Sequence, residues 1–219
     1  MRLKEVVPKL PKPMAQVNGR PFLEFLMNYW IGQGVTRFIL SVGYQNKIII
    51  NHFGNEFNGV SIEYSIEDSP LGTGGGFIKA AQKLNDPFLL LNGDTFIEMD
   101  LKRIIDFHSE RKADWTLSVV RLKDSTRYMG IELMDTGQII SLTSSVNESL
   151  KMVNGGAYFI NPSVVEKITF KRNIKLSLES DILPSLLSKN NSLFGIECTG
   201  DFIDIGIPED YFRAQEICR

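Results

Sequence analysis

Four large apolar residues stand together in the run Phe88–Leu91, and Asn92, Gly93 and Asp94 follow them at once. An apolar run without polar alternation is typical of a strand that is covered on both faces, as the strands of parallel sheets are. We therefore predict a central strand here, with Asp94 just past its carboxyl end. Ligands bind at that edge of an open α/β sheet, because the strand ends and the following loops form a crevice.

Elsewhere, apolar residues recur at helical spacing in some segments and run together or alternate in others. After Pro21, for example, Phe22, Phe25, Leu26 and Tyr29 lie at the spacing of one helix face. The spacing predicts helices at residues 21–34, 45–53, 77–84, 101–112, 178–187 and 209–217. Strands are predicted at residues 37–42, 60–65, 88–91, 115–122, 131–133, 139–142, 154–160 and 193–198, with a hairpin turn at 135–137. This order predicts an α/β fold with a Rossmann-like mixed, mainly parallel sheet flanked by helices, in a single domain over residues 1–219.

Two carboxylates at strand ends are candidates for a metal site. Gly93 would let a ligand approach the backbone closely, and Asp94 offers the hard oxygen that magnesium prefers. Asp204 stands in the short apolar run 202–207, where an acidic side chain is costly without a partner. The two could share one magnesium ion that bridges phosphate oxygens. Helix capping for Asp94, and a cap or a salt bridge to lysine for Asp204, remain open as alternatives.

A glycine-rich stretch precedes the helix predicted at 77–84. It contains Gly72, Gly74, Gly75 and Gly76, which expose backbone N–H groups beside a helix N terminus. Such a place suits a nucleotide, because the N–H groups and the helix end carry positive partial charge. The stretch fails the dinucleotide pattern G-x-G-x-x-G, since Phe77 stands at the third glycine position. A plain flexible turn is the alternative.

The start of the chain, residues 1–18, is basic and rich in proline. Lys12 lies between Pro11 and Pro13, and prolines at this density exclude a regular helix and leave the lysine few backbone states. A solvated linker is the alternative interpretation.

Composition narrows the function classes. The chain has 219 residues, of which 43% are hydrophobic, enough for one α/β domain with a sizeable core. A formal net charge of −2 gives no general field that favours nucleic acid or an anionic membrane, so neither partner is expected. The cysteines Cys198 and Cys218 form no C-x-x-C pattern, and we expect reduced thiols and a soluble cytoplasmic protein without a signal peptide or membrane span. A homodimer is the default expectation.

Taken together and in this order, several stretches resemble motifs of the sugar-1-phosphate nucleotidyltransferases. This family makes nucleotide sugars from a nucleoside triphosphate and a sugar 1-phosphate. The matching stretches are Arg2-Leu3 with Lys12-Pro13 (the tail of a G-x-G-T-R-x(n)-K-P signature), PLGTGG at 70–75 (the base-binding loop), Asn92-Gly93-Asp94 and Asp204-Ile205-Gly206 (metal motifs), and Asn154-Gly155-Gly156-Ala157-Tyr158 with Glu179 (sugar-binding elements). PLGTGG and the ending FIDIGIPEDYFRAQ are most similar to D-glycero-D-manno-heptose 1-phosphate guanylyltransferases, and next to mannose 1-phosphate guanylyltransferases.

The resemblance implies a GT-A-like fold, magnesium as cofactor, and GTP with heptose or mannose 1-phosphate as substrates. It also implies that nucleotidyl transfer releases pyrophosphate. By this resemblance, Arg2 would bind the leaving part of the triphosphate and Lys12 the reacting phosphates. Gly72, Thr73 and Gly93 would bind the nucleotide, and Gly156 and Glu179 the sugar. Asp94 and Asp204 would bind magnesium.

The implied reaction needs no catalytic histidine. A sugar phosphate is largely dianionic near pH 7, because its second pKa is about 6, so the nucleophile needs no general base. Catalysis then reduces to alignment and charge neutralisation. His52 and His108 lie on predicted helices, and we expect both to be structural or solvent-facing.

Two features depart from the family pattern. Met1 stands where the threonine before the arginine is expected, so we expect the first strand and its glycine-rich loop to be missing from this chain. The E-K-P-like element that follows the hairpin has no match at 141–145, and Lys151 is a speculative substitute. Either the true start lies upstream of Met1, or this chain is an impaired form. The departures leave an impaired or non-catalytic nucleotide-sugar-binding domain as the alternative. A phosphatase with Asp94 as nucleophile is disfavoured, because no D-x-D follows a first strand.

Overall fold

The computed structural model describes residues 10–123, 128–143, 151–168, 175–189 and 192–218. The helices are α1 (Phe22–Ile31), α2 (Asn46–Phe53), α3 (Gly72–Ala81), α4 (Leu101–Glu110), α5 (Pro162–Glu166), α6 (Leu183–Ser188) and α7 (Pro208–Ile217), with a 3₁₀ turn at Lys12–Met14 and a π-helix at Leu178–Ile182. The strands are β1 (Gln16–Val17), β2 (Arg20–Pro21), β3 (Arg37–Val42), β4 (Glu56–Phe57), β5 (Val60–Ile66), β6 (Phe88–Leu91), β7 (Thr95–Ile97), β8 (Trp115–Leu122), β9 (Gly130–Leu133), β10 (Ile139–Thr143), β11 (Lys151–Ile160), β12 (Leu193–Glu197) and β13 (Phe202–Asp204).

The chain divides into two compact units. The first comprises the described residues up to Pro70, the segment Asn92–Phe96 and the described residues from Ile203 onward. The second comprises Leu71–Leu91 and the described residues of Ile97–Phe202. The expectation of a single domain over residues 1–219 stays a prediction.

The first unit is built around a three-stranded sheet in the order β3-β5-β4. Strand β3 runs parallel to β5, with Arg37 opposite Ser61 and Val42 opposite Ile66, and β4 pairs with β5 in an antiparallel hairpin. Apolar faces of α1 and α2 join the turn at Lys12–Met14, β7, β13 and α7 in one core. Burial of these faces is the main term that stabilises the unit.

The second unit contains a six-stranded sheet in the order β10-β9-β11-β8-β12, with β6 also paired to β11. Strand β8 lies between β11 and β12, and its side chains are buried from Trp115 to Val120. The core of this unit joins β8 and β11 with α3, the π-helix and α6, and its largest fully buried side chains include Trp115 and Tyr158. This sheet carries the irregular strand β11, which positions the site described below.

The α/β class and the mixed sheet with flanking helices are confirmed. The sheets were expected to be mainly parallel, but most of their strand pairs are antiparallel. Among the pairs with a described register, β3–β5 and β8–β12 are parallel and the others are antiparallel. Strand β6 is half-buried and pairs antiparallel to Ala157–Ile160 of β11. An apolar run shows only that both faces are covered, and it does not determine the direction of the neighbouring strand.

The helix predicted at 77–84 begins earlier, at Gly72, and ends at Ala81. Glycine is a poor helix former, so the sequence pattern places the start after the glycines. In the structure these positions are close approaches. A Cβ on Gly74 would lie 2.7 Å from Ile182 Cδ1, and a Cβ on Gly75 would lie 2.7 Å from Leu71 Cβ. Tertiary packing therefore decides the helix start over intrinsic propensity. The strands predicted at 37–42 and 115–122 and the hairpin around 135–137 are confirmed.

Both histidines lie where the sequence predicts. His52 on α2 pairs with Glu24, with 2.6 Å between Nε2 and Oε1. His108 on α4 is buried, and its Nδ1 lies 2.9 Å from Thr116 Oγ1. Cys198 and Cys218 are free, buried thiols, as expected, and burial raises the pKa of Cys198 to about 11 and that of Cys218 to about 12. Along the described residues, none of the helices combines the length and apolar character that a bilayer crossing requires.

His108 predicts a pH dependence of stability. Burial lowers the pKa of His108 from its ordinary value of 6.5, because the protonated ring loses hydration, and this outweighs the opposing effects of Asn161 and Asp114. The unfolded chain then binds this proton more tightly than the folded protein. Stability is therefore present above the unfolded pKa and falls as the pH drops through it.

We expect the urea concentration at the unfolding midpoint to be lower at about pH 5 than at about pH 7.5. This decrease should be larger for the wild type than for His108→Gln. Glutamine keeps a polar group near Thr116 but does not titrate. Parallel pH profiles for the two proteins would contradict this account of His108.

Candidate functional site

The two carboxylates singled out in the sequence lie in the first unit and are joined through the backbone. Asp94 follows β6 in the segment 92–94, and Asp204 ends β13. The N–H of Ile205 donates to the carbonyl oxygen of Asp94 at 3.1 Å. This contact places residues about half the chain apart at one location. Non-local strand pairing of β7 with β13 creates the arrangement.

Lys12 lies beside both carboxylates. Its Nζ donates to Asp94 Oδ2 at 2.7 Å, and the lysine and aspartate side chains are 47% and 28% exposed. A Cβ built on Gly206 would lie 2.9 Å from Asp204 Oδ1 and 3.1 Å from Lys12 Nζ. Glycine at 206 therefore keeps open the space between the lysine and the second carboxylate. Pro13 also approaches Gly93, where a Cβ would lie 3.2 Å from Pro13 Cγ.

Asp204 is fixed by its own backbone surroundings. Its Oδ1 accepts a hydrogen bond from the N–H of Gly206 at 2.8 Å. Its own N–H donates to Asp210 Oδ2 at 3.2 Å, in the first turn of α7. The first contact orients the carboxylate and the second holds the backbone of Asp204, and Asp210 is a residue that sequence reasoning missed. A carboxylate in the first turn of a helix is ordinary helix chemistry, so no sequence signal marked it.

The donor set in the first unit fits a hard divalent cation. Magnesium is held in proteins by one or two carboxylates together with water and substrate phosphates. Asp94 and Asp204 provide two such carboxylates from separate segments, next to a lysine that suits a phosphate. Within the described ranges, no group of three or more histidine, cysteine or acidic residues gathers into a dedicated metal cage.

The glycine-rich segment lies in the second unit and is bonded to the segment before the π-helix. Leu176 N donates to the carbonyl oxygen of Leu71 at 2.8 Å, and Gly74 N donates to the carbonyl oxygen of Leu176 at 2.9 Å. Leu178 N donates to Thr73 Oγ1 at 2.9 Å. Gly72 has a φ of +76°, and a Cβ there would overlap the carbonyl oxygen of Leu176. Gly72 and Thr73 are thus held rigidly, with the Thr73 hydroxyl engaged by the backbone.

The residues predicted to bind the sugar also meet in the second unit. Glu179, in the first turn of the π-helix, accepts a hydrogen bond on Oε1 from Asn154 Nδ2 at 2.6 Å. The N–H of Gly156 donates to Asn154 Oδ1 at 3.1 Å. Asn154 therefore joins Gly156 to Glu179; the motif placed this asparagine in a sugar-binding element but did not predict its link to the carboxylate.

Arg2 lies outside the described residues, as do residues 144 and 145 of the segment 141–145 that has no E-K-P-like match. Lys151, the suggested substitute, is buried in β11, and a Cβ on Gly130 would lie 3.3 Å from its Cε. The roles of all these site residues stay predictions.

Comparison with known proteins identifies the family. The family model described as "Nucleotidyl transferase" matches residues 1–219. The chain belongs to this nucleotidyl transferase family. The resemblance stated from the sequence motifs is thereby confirmed, and the protein is an enzyme of the nucleotidyltransferase class by family.

Several nucleotidyl transferases are similar over almost the whole chain. The D-glycero-alpha-D-manno-heptose 1-phosphate guanylyltransferase of Aneurinibacillus thermoaerophilus is 38% identical over 216 residues, which cover 98% of this chain and 92% of the relative. The mannose-1-phosphate guanylyltransferase of Mycobacterium tuberculosis is 32% identical, over 97% of this chain and 60% of the relative. The crystal structure of HddC from Yersinia pseudotuberculosis complexed with GMP-PN matches with a TM-score of 0.82 and 33% identity, over 96% of this chain and 91% of that chain.

The contact at Gly72 yields a stability prediction. Gly72→Ala places a side chain both in left-handed backbone and against the carbonyl oxygen of Leu176. We expect a loss of unfolding free energy on the order of 3 kcal/mol or more, measured by urea denaturation.

Gly19→Ala is the matched control. Gly19 has nearly the same φ, +77°, but open space around its Cβ position. Left-handed strain alone should cost about 1–2 kcal/mol there. Equal losses in the two variants would show that the contact with Leu176 contributes nothing.

Proposed function

We propose that this chain transfers GMP from GTP to a sugar 1-phosphate, either heptose or mannose 1-phosphate, releasing pyrophosphate and forming a nucleotide sugar. The observation that carries the proposal is the convergence of Lys12 with Asp94 and Asp204 in a member of the nucleotidyl transferase family. Relatives at 38% and 32% identity are guanylyltransferases of these two sugar phosphates, and a solved relative holds GMP-PN. These relatives support the choice of base and sugar.

The reaction requires alignment and charge neutralisation more than proton transfer. The sugar phosphate attacks as a dianion, so its oxygen displaces pyrophosphate from the α-phosphorus without a general base. Lys12 supplies one positive charge at the reacting phosphates. Asp94 and Asp204 would hold magnesium, which adds charge neutralisation when it is bound. The chemistry thus agrees with a site in which the described histidines take no part.

The remaining assignments follow the sequence motifs. Gly72, Thr73 and Gly93 would each contact the nucleotide, as the family resemblance implies. Gly156 and Glu179 would meet the sugar, whose hydroxyl groups donate well to a carboxylate. Arg2 would contact the pyrophosphate that leaves. The assignments are proposals for each residue separately.

Cytoplasmic location and a homodimer complete the proposal. Both substrates are phosphorylated metabolites, and the free thiols agree with a reducing compartment. The homodimer rests on the general frequency of twofold-symmetric assemblies.

The metal role predicts a large loss of turnover in Asp94→Asn and Asp204→Asn. An amide keeps the size of the side chain but removes the charge that holds the cation. We expect each variant to lose about 100-fold or more in kcat for pyrophosphate release with GTP and mannose 1-phosphate.

Asp86→Asn is the control, because Asp86 is an exposed carboxylate in the other unit. It should keep wild-type turnover. Wild-type rates in Asp94→Asn would exclude the proposed metal role.

A substrate screen separates turnover from binding alone. GTP, ATP, UTP and dTTP are each tested with heptose and mannose 1-phosphates for pyrophosphate release. Binding of GDP-mannose in calorimetry, with no pyrophosphate release from any triphosphate, would favour the non-catalytic alternative.

A further inference from the structure

Strand β11 is irregular between Asn154 and Tyr158. Asn154 lies opposite Val119 of β8, and Tyr158 lies opposite Leu117. Three residues of β11, 155–157, therefore stand opposite the single residue Ser118 of β8. Such a bulge bends the strand and re-aims its side chains. The irregularity lies in the middle of the longest strand pair of the second unit and not at a frayed end.

Two glycines make the bulge possible. Gly156 has a φ of +80°, a conformation that favours glycine. A Cβ on Gly155 would lie 2.5 Å from Ile97 Cδ1 and 2.7 Å from Ser118 Oγ. The Ser118 hydroxyl in turn accepts a hydrogen bond from the N–H of Ala157 at 3.1 Å. The strand is thus held in its bulged form by specific contacts.

The bulge brings together two side chains that a regular strand would separate. Residues four apart along a strand lie about 13 Å apart, too far for a direct hydrogen bond. Here Asn154 Nδ2 donates to the phenol oxygen of Tyr158 at 2.5 Å. Asn154 is 5% exposed and Tyr158 is 0% exposed, so the contact is shielded from water.

The orientation of the Asn154 carboxamide follows from the backbone. The N–H of Gly156 can only donate, so the atom that it meets, at 3.1 Å, must be the amide oxygen. The NH₂ group therefore faces the other way, where its two hydrogens reach Tyr158 and Glu179 Oε1. One side chain thus fixes a backbone turn, a buried phenol and a carboxylate together.

We propose that Asn154 is the positioning residue for Glu179, acting on sugar recognition through that carboxylate. This inference rests on the proposed function, in which Glu179 meets the sugar. A carboxylate anchored through Oε1 keeps its plane and its other oxygen in place, which alignment of a ring hydroxyl requires. Glu179 also lies in the first turn of a π-helix, an uncommon element that is frequent at functional sites. The bulge and the π-helix are thereby joined by a single amide.

The test exchanges donor and acceptor. Asn154→Asp keeps the oxygen that Gly156 needs but turns a negative oxygen toward Glu179. Two adjacent carboxylates repel, so we expect the KM for mannose 1-phosphate to rise on the order of 10-fold or more, with the KM for GTP nearly unchanged.

Adding Glu179→Gln restores a donor to the pair. The glutamine NH₂ group can face the carboxylate introduced at position 154 while its oxygen remains available to the sugar. The double variant should therefore bind mannose 1-phosphate better than the product of the two single effects predicts. A purely structural role for Asn154 would give no such rescue.

Asn161→Asp is the matched control. Asn161 follows β11 directly and donates from Nδ2 to the carbonyl oxygen of Ala113 at 2.6 Å, so the same substitution also removes an amide donor in the same unit. It should lower thermal stability without a selective change in the KM for mannose 1-phosphate. Circular dichroism establishes folding of every variant.

The outcomes distinguish failure of the proposed function from failure of the positioning role of Asn154. If the wild type neither binds nor converts sugar 1-phosphates with GTP, the proposed function fails, and the inference about Asn154 fails with it. If the wild type is active but Asn154→Asp behaves like Asn161→Asp, or if Glu179→Gln gives no rescue, only the positioning role is overturned.

Discussion

Two carboxylates held close together at strand ends need a positive charge beside them, and Lys12 supplies it. Its ammonium pairs with Asp94, and glycine at 206 leaves room for it next to Asp204. Like charges repel, and Lys12 reduces that repulsion when no other ion is bound. The same positive charge suits the phosphates of a nucleotide. The Lys12–Asp94 ion pair therefore also prepares the site for an anionic substrate.

The second unit depends on close backbone approach rather than on charge. Gly72 meets the carbonyl oxygen of Leu176, Gly74 meets Ile182, and Gly155 meets Ile97. Each position excludes a side chain, so neighbouring segments are joined by backbone hydrogen bonds where side chains would otherwise keep them apart. This construction leaves few alternatives for the positions of Thr73 and Glu179. Rigid placement of this kind lowers the entropy that ligand binding must overcome.

Sequence patterns predict the helices and strands of this protein better than they predict which of these elements pair with one another. The strands at 37–42 and 115–122 are predicted because their apolar spacing is local information. The antiparallel pairing of β6 with β11 depends on residues about 70 positions apart, and an apolar run carries no sign of it. The start of α3 at Gly72 was also not predicted, because it depends on distant residues. Packing against the segment before the π-helix outweighs the low helix propensity of glycine. In the site, Asp94 and Asp204 could be recognised as carboxylates in need of a partner. The link from Asn154 to Glu179 could not be predicted from the sequence, because it depends on a bulge that brings Asn154 and Tyr158 into contact.

The irregular features of the second unit share one location and one physical consequence. A β-bulge at 155–157 and a π-helix at Leu178–Ile182 each cost stability compared with a regular element, and the left-handed positions 72 and 156 are tolerated because both are glycine. Such costs persist only where the surroundings determine the conformation completely, and here hydrogen bonds to Asn154, Ser118 and Leu176 do so. Local rules of strand and helix formation are broken at functional sites more often than elsewhere. The clustering of these features around Glu179 is therefore an argument, independent of any motif, that ligand recognition determines the shape of this region.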